Sequence, residues 1–266
     1  MEKKEQALKE YIRQLGSLAV GFSGGVDSAY LLAVAHEVLQ EKAVALTATG
    51  VAFPEREQQE AREFCKKRGI RQILCPVEPL QIEEFRNNGP QRCYFCKRDI
   101  FARLQKAAGE LGIAQLADGT NVDDLVDYRP GLRAVTELGV VSPLREAGLA
   151  KAEIRLLSKK RGLPTWSKPA YACLASRFAS GEEITEEKLY RVDRAEQFLI
   201  EQGFPEERVR VHGDLARIEV AAEDIARLAD GAVREKIVKA FRALGFRFVS
   251  LDLEGYRTGS MNAEAR

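Results

Sequence analysis

The sequence predicts an α/β protein, a doubly wound parallel sheet followed by a smaller C-terminal α+β domain. Three observations carry this. Between residues 18 and 75, short apolar runs alternate with segments of helical period, the pattern of parallel strands joined by crossover helices. The first run, Leu18-Ala-Val-Gly21, passes through a polar glycine turn straight into a second apolar stretch that ends near Leu39. Beyond Gly181 the pattern changes to a helix, a hairpin, two helices and a strand. The chain is divided accordingly into residues 1–168 and 169–266.

The elements follow in order. Residues 2–15 set Leu8, Tyr11, Ile12 and Leu15 on one helical face. Ala43 to Thr49 reads as a second strand, Pro54 to Lys67 as a helix with Pro54 near its first turn, and Arg71 to Cys75 as a third strand. A turn from Asn87 opens into a helix that runs to about Gly109. Ile113 onward predicts a fourth strand ending in the polar turn Asp118-Gly-Thr-Asn121, Val140–Leu144 is a further apolar patch, and Ala150 to Arg161 is a helix stopped by Gly162 and Pro164. The stretch Leu163 to Arg177, with its prolines and no helical period, predicts an extended loop at a domain junction. In the smaller domain Thr185 is placed to cap a helix ending near Gly203, and Arg208 to Val220 alternates polar and apolar residues about a Gly-Asp turn. Helices near 221–230 and 232–244 and a strand at Arg247–Leu253 complete it.

Composition narrows the function classes. Apolar residues make up 45% and charged residues 30%, with a net charge of +1, so nothing in the overall balance favours a polyanion, and a nucleic-acid partner is not expected. The N-terminus lacks a signal-peptide core and no run approaches membrane-spanning length, so a cytoplasmic protein without membrane association is expected. In that reducing setting the five cysteines read as core residues, ligands or reactive thiols before disulfides.

The glycine turn is a phosphate site by its chemistry. Gly24 and Gly25 admit a ligand to the backbone, Ser23 and Ser28 add hydroxyls, and the turn sits at a helix N-terminus and the carboxyl end of a strand. Asp27 is out of place beside an anion unless a magnesium ion accompanies it. Asp123, Asp127 and Arg129 follow the fourth strand at the same edge and are candidates for metal, phosphate or substrate, a solvated turn being the competing reading. Cys93 and Cys96 form a C-x-x-C pair whose sulfurs can meet one metal, one cluster or each other, unless they simply pack at a helix start. Cys65 and Cys75 sit in apolar surroundings and read as core. Cys173 has Lys168 and Arg177 close in sequence, and such cations lower a thiol pKa where they reach it. Arg208 and Arg210, alternate residues on one strand, form a cationic fork for a phosphate or else a solvated strand face.

Ser23-Gly-Gly-Val-Asp-Ser28 resembles the loop of the PP-loop ATP pyrophosphatases and differs from the kinase-type loop, which has a lysine after its glycines. With Cys93-Tyr-Phe-Cys-Lys97, Asp118-Gly-Thr-Asn121, Asp127-Tyr-Arg-Pro-Gly131, Ser142-Pro-Leu144, Lys168-Pro-Ala170, Cys173-Leu-Ala-Ser-Arg177 and Arg208-Val-Arg-Val-His212, the chain is similar to the LarE family over most of residues 18–256. The resemblance implies an ATP-dependent sulfur transferase of nickel-pincer nucleotide biosynthesis, in the maturation of lactate racemase. It would adenylylate a carboxylate of pyridinium-3,5-dicarboxylate mononucleotide and convert it to a thiocarboxylate.

Residue by residue, the resemblance implies that Ser23, Gly24, Gly25, Val26, Asp27 and Ser28 hold ATP, that Arg208 and Arg210 with Ser176 hold the phosphate of the nucleotide substrate, and that Glu219 contacts metal or phosphate. By position, Arg129 is assigned to the substrate and Asp27 and Asp123 to magnesium. Some family members sacrifice one cysteine as sulfur donor, at the position of Cys173; others bind a 4Fe-4S cluster through three. Cys93, Cys96 and Cys173 together match the second kind, since three thiolates leave one iron open for a sulfide. A sulfide donor and a homo-oligomer belong to the same expectation. The alternatives are sacrificial donation from Cys173, a PP-loop tRNA thiolase, an amidating relative, and a non-catalytic nucleotide sensor.

Overall fold

Strands β1 (Leu18–Gly21) and β2 (Ala43–Thr49) lie between two cores and alternate their side chains between them. Leu18, Val20, Ala43 and Ala45 enter one, and Ala19, Val44 and Leu46 the other. With both faces covered, these strands read in sequence as unbroken apolar runs. A computed structural model describes residues 1–125, 130–169 and 172–257. The chain forms two units, the first from residues 1–50, 56–78 and 93–171, the second from 51–55, 79–92 and 172 onward.

In the first unit β3 (Gln72–Pro76) and the short β4 (Leu116–Ala117) complete a parallel sheet of order β3-β2-β1-β4. Helices α1 (Glu2–Leu15), α2 (Val26–Leu39), α3 (Glu55–Arg68) and α8 (Lys151–Lys160) supply Leu8, Ile12, Leu31, Phe64, Ile154 and Leu157 to one core. Helices α5 (Arg92–Glu110) and α6 (Pro130–Glu137) bring Phe101, Leu104 and Val135 to the other. The sheet is therefore wound on both faces, as the alternation in sequence predicted. The chain runs one way from β1 through β2 to β3, and β4 lies on the other side of β1, so the switch of direction falls at β1.

β4 is shorter than its apolar run. Past Ala117 the Asp118 amide still donates to the Val141 carbonyl (3.0 Å), while its carboxylate accepts from the Thr120 amide (3.2 Å) and the Ser142 hydroxyl (2.7 Å). A single parallel bridge from Ala117 to Val141, just before α7 (Pro143–Glu146), extends the sheet. The junction stretch is not wholly extended either. Residues Pro164–Ser167 and Leu174–Arg177 form 3-10 turns, the first with proline at a starting position that needs no amide hydrogen.

In the second unit β5 (Glu207–His212) and β6 (Leu215–Val220) form the expected antiparallel hairpin, and β7 (Phe248–Leu251) pairs parallel to β6. The intervening α10 (Ile225–Ala229) and α11 (Gly231–Ala243) make the crossover that a parallel return requires. α9 (Glu186–Glu201) is capped by Thr185, whose hydroxyl accepts from the Lys188 amide at 3.2 Å, and buries Leu189, Val192, Ala195 and Leu199. The short α4 (Glu83–Arg86) belongs to this unit too. Among the described residues no helix is long and apolar enough to cross a membrane.

Gly50 ends β2 with φ +151°, and a Cβ there would stand 2.6 Å from the Val77 carbonyl oxygen. Gly50→Ala therefore meets both backbone strain and a backbone clash, and is expected to cost about 2–3 kcal/mol. Gly69→Ala, at φ +65° with open space around it, should cost only about 1 kcal/mol. Urea unfolding midpoints at unchanged slope check the contrast.

Candidate functional site

The turn after β1 is fixed from several sides. Gly24 takes φ +75°, and a Cβ on it would touch the Ala61 side chain of α3 at 3.4 Å. The two serines close the turn: Ser23 Oγ and Ser28 Oγ lie 3.1 Å apart, and the Ser28 hydroxyl donates to the Gly25 carbonyl at 3.2 Å. α2 begins at Val26, so its first amides face the turn. Gly119 allows the next loop to pack on that helix start, since its Cβ would lie 3.0 Å from the Ser28 amide nitrogen.

Asp27 occupies the first turn of α2. Its Oδ2 is ion-paired with Lys151, while its buried Oδ1 has no hydrogen-bond partner among the described residues. Burial, opposed by Lys151, pushes its carboxyl above the ordinary value of 3.8. An orphaned, desolvated carboxylate oxygen beside a phosphate-type turn has the chemistry of a hard-cation ligand, so Asp27 fits a magnesium ion. Asp123 lies nearby in the same network, with its Oδ2 accepting from the Lys151 amide at 2.8 Å, the first residue of α8. On the α3 side, Lys168 donates to the Gly24 carbonyl (3.2 Å) and pairs with Glu57 (2.6 Å) and Glu60 (2.7 Å). Asp127 and Arg129 lie outside the described residues.

Cys93 and Cys96 stand one turn apart in the first turns of α5, Cys93 exposed and Cys96 half-buried. Between them Tyr94 is buried, its hydroxyl donating to Glu137 (2.6 Å) and its ring under Arg133 (4.1 Å), which fixes this end of α5 on α6. Lys97 lies over Gly131, where a Cβ would come within 2.7 Å of its side chain. Cys65 and Cys75 are buried as expected, and burial pushes the Cys65 thiol up to about 12. Among the described residues, no group of three or more His, Cys, Asp or Glu side chains is arranged to hold a metal ion.

In the second unit Cys173 precedes the 3-10 turn 174–177 and is half-buried. The turn is tied by Arg177, which is 0% exposed. Its Nε and Nη2 bond both oxygens of Glu196 (2.8 and 2.9 Å), and its Nη1 donates to the Ala172 carbonyl (3.0 Å) and Ser176 Oγ (2.9 Å). Burial works against the Glu196 charge, but Arg177, Arg208 and the Val209 amide hold its carboxyl below the ordinary value.

The hairpin residues are buried rather than solvated. Arg210 donates to Glu219 through Nε (3.0 Å) and Nη2 (2.8 Å), and to the Ser176 carbonyl through Nη1 (3.2 Å). Arg208 lies over the Tyr256 ring at 4.7 Å. Glu219, fully buried, also accepts from Arg217 (3.3 Å). The hairpin thus groups Arg208 and Arg210 with Glu219, and Arg210 reaches the backbone of Ser176. Sequence reading missed Lys151 as the partner of Asp27, Lys168 as a partner of the turn, and Glu196 altogether. Only Lys168 carried a signal, in the Lys-Pro-Ala string.

Two consequences are measurable. An acid whose folded pKa lies above its ordinary 3.8 weakens the fold as pH rises from that value through the raised one. Lys151 is 34% exposed and stays solvated without its partner. Asp27→Asn should therefore stabilise the protein at neutral pH by about 1 kcal/mol and flatten the loss of melting temperature with rising pH. Glu196→Gln leaves the fully buried Arg177 charge without its counter-charge and should cost about 3–5 kcal/mol in urea unfolding. The paired change Arg177→Met with Glu196→Leu should cost much less.

A family model described as NAD synthase matches residues 1–114, the part that contains the turn, α2 and α3. An uncharacterized protein of Synechocystis sp. is 41% identical over 262 residues, 98% of each chain. The pyridinium-3,5-bisthiocarboxylic acid mononucleotide synthase of Lactiplantibacillus plantarum is 36% identical over 261 residues, 97% of this chain and 94% of the synthase. An uncharacterized protein of Methanocaldococcus jannaschii is 30% identical over 256 residues, 96% of each chain. Similarity of this extent, carried from the phosphate-type turn to the last strand, makes this chain a member of the family of the L. plantarum synthase, the LarE family, with a PP-loop domain in its first unit.

Proposed function

We propose that this protein is an ATP-dependent sulfur transferase that acts on pyridinium-3,5-dicarboxylate mononucleotide. The observation that carries the reading is the turn Ser23–Ser28 with the orphaned Asp27 oxygen, in a chain whose L. plantarum relative is named as a synthase of the bisthiocarboxylic acid mononucleotide. A carboxylate is a poor electrophile, so it is activated first. Its oxygen attacks the α-phosphorus of ATP, the bond to pyrophosphate breaks, and an acyl adenylate forms. Sulfur then attacks the acyl carbon and AMP departs, leaving a thiocarboxylate.

Each group of residues has a share in this. Ser23, Gly24, Gly25, Val26 and Ser28 hold the departing pyrophosphate through amides and hydroxyls, and Asp27 would hold a magnesium ion, which would offset that charge. Arg208 and Arg210, with Ser176, hold the phosphate of the nucleotide substrate. Glu219 and Tyr256 keep the two guanidiniums in place, so little ordering remains for binding. Arg129 has the same proposed role, and Asp123 and Glu219 remain proposed magnesium contacts. For sulfur, Cys93, Cys96 and Cys173 would hold a 4Fe-4S cluster; their thiols are exposed or half-buried, unlike those of Cys65 and Cys75. A bound cluster of this kind supplies a sulfide at an open iron.

The test is anaerobic purification with iron and sulfide analysis of wild type, Cys93→Ala, Cys96→Ala and Cys173→Ala, alongside AMP and pyrophosphate release. Wild type should carry iron and sulfide in equal amounts, each alanine variant should lose them, and AMP should form only with the dicarboxylate nucleotide present. Wild type without iron, with turnover removing the mass of one sulfur from Cys173, would replace the cluster by sacrificial donation. AMP formation driven by tRNA instead of the nucleotide would point to a tRNA thiolase, and absence of any turnover to a nucleotide sensor.

A further inference from the structure

Lys168 stands in an arrangement that the phosphate turn alone does not explain. Its ammonium lies within hydrogen-bond distance of a loop carbonyl, that of Gly24 (3.2 Å), and its charge is met by two carboxylates of α3, Glu57 at 2.6 Å and Glu60 at 2.7 Å. Its side chain is 11% exposed. The backbone that carries it is fixed independently: Arg155 of α8 donates to the Trp166 carbonyl (2.7 Å) and to the carbonyl of Lys168 itself (2.9 Å). A flexible side chain is thus held at both ends, which ordering entropy disfavours unless the position matters.

Its consequence follows from peptide geometry. In a planar trans peptide the carbonyl and the next amide point in opposite directions, and among the described residues no peptide bond is cis. A cation that holds the Gly24 carbonyl on the α3 side therefore turns the Gly25 N–H to the other side, toward the mouth of the turn. That amide donates to Ser23 Oγ at a long 3.4 Å, its sole partner among the described residues. Gly24, at φ +75°, is the residue in the turn with the most freedom to rotate this peptide.

We infer that Lys168 is a positioning residue for phosphate binding: it fixes the Gly24–Gly25 peptide so that the Gly25 amide faces the pyrophosphate, while Glu57 and Glu60 keep its charge in place. The inference rests on the proposed reading of the turn as an ATP site.

Equilibrium binding of magnesium ATP and of adenosine, which lacks the phosphates, to wild type, Lys168→Met and Lys168→Arg tests it. Lys168→Met should weaken ATP about tenfold, leave adenosine unchanged, and raise KM for ATP more than it lowers kcat. Lys168→Arg, which keeps a donor, should recover most of the loss. Unchanged ATP affinity in Lys168→Met, or equal losses for ATP and adenosine, would overturn the role of Lys168 alone. Wild type that binds no ATP would take the proposed function down with it. If Lys168→Met does not fold, Glu57→Gln with Glu60→Gln serves, since it keeps the lysine but releases it. Weaker ATP binding then supports positioning, and unchanged or tighter binding overturns it.

Discussion

The constraint on which the first unit depends is a turn that cannot relax. β1 is buried on both faces, and α2 buries residues nearly all the way round, from Val26, Ser28 and Ala29 through Leu31, Leu32, Val34 and Ala35. Both ends of the six residues from Ser23 to Ser28 are therefore fixed by packing, and the peptide at Gly24 takes up the geometry that remains. The surroundings are shaped to this turn: Gly119 leaves room at the helix start, Ala61 leaves room under Gly24, and Lys168 and Lys151 each bond one of its polar groups. Within the turn itself, Asp27 is left in a costly environment. Desolvated and half-satisfied, it is where stability and ligand binding are in opposition.

The second unit has an analogous tension among charges. In the β5–β6 register Arg210 stands directly opposite Arg217, a like-charge pair that a sheet disfavours. Glu219, two residues along β6, accepts from both and converts the repulsion into a network. Arg177 and Glu196 do the same in the layer beneath, with both Glu196 oxygens and the Val209 amide engaged. Buried pairs of this kind add little net stability over apolar residues, but any one member left alone is expensive. Their effect is on geometry, since each guanidinium is confined to one orientation.

Local pattern reached the fold well and the site only in part. The bounds of β2, the hairpin, the Thr185 cap and the alternation of strands and helices were legible because period, turn residues and caps act within a few residues of sequence. β4 is shorter than the run from Ile113 suggests because the Ile113 amide donates to the Ala108 carbonyl and closes the end of α5, so pairing begins only at Leu116. The direction of β7 has no local signature, being set by the crossover through α10 and α11. At the site, Ser23–Ser28 was legible as chemistry because a phosphate needs glycines, hydroxyls and a helix start in succession. Lys151 lies 124 residues from Asp27, and Lys168 lies 144 from Gly24, so no window on the sequence joins them.

Cysteine shows where sequence and fold divide the information. All five cysteines have the same side chain, and neighbouring residues separate them only loosely. Burial separates them sharply. A thiol pushed to about 12, as Cys65 is, or raised like Cys75, stays protonated at neutral pH and is neither a good ligand nor a nucleophile. Cys93 and Cys96 lie at the start of α5, and helical spacing sets both sulfurs toward one side. Cys173 is half-buried, and the fully buried Arg177 bonds the Ala172 carbonyl before it and the Ser176 hydroxyl after it. The thiols that the proposed chemistry uses are thus those that the fold leaves at least partly accessible, and the two it buries are those the chemistry does not use.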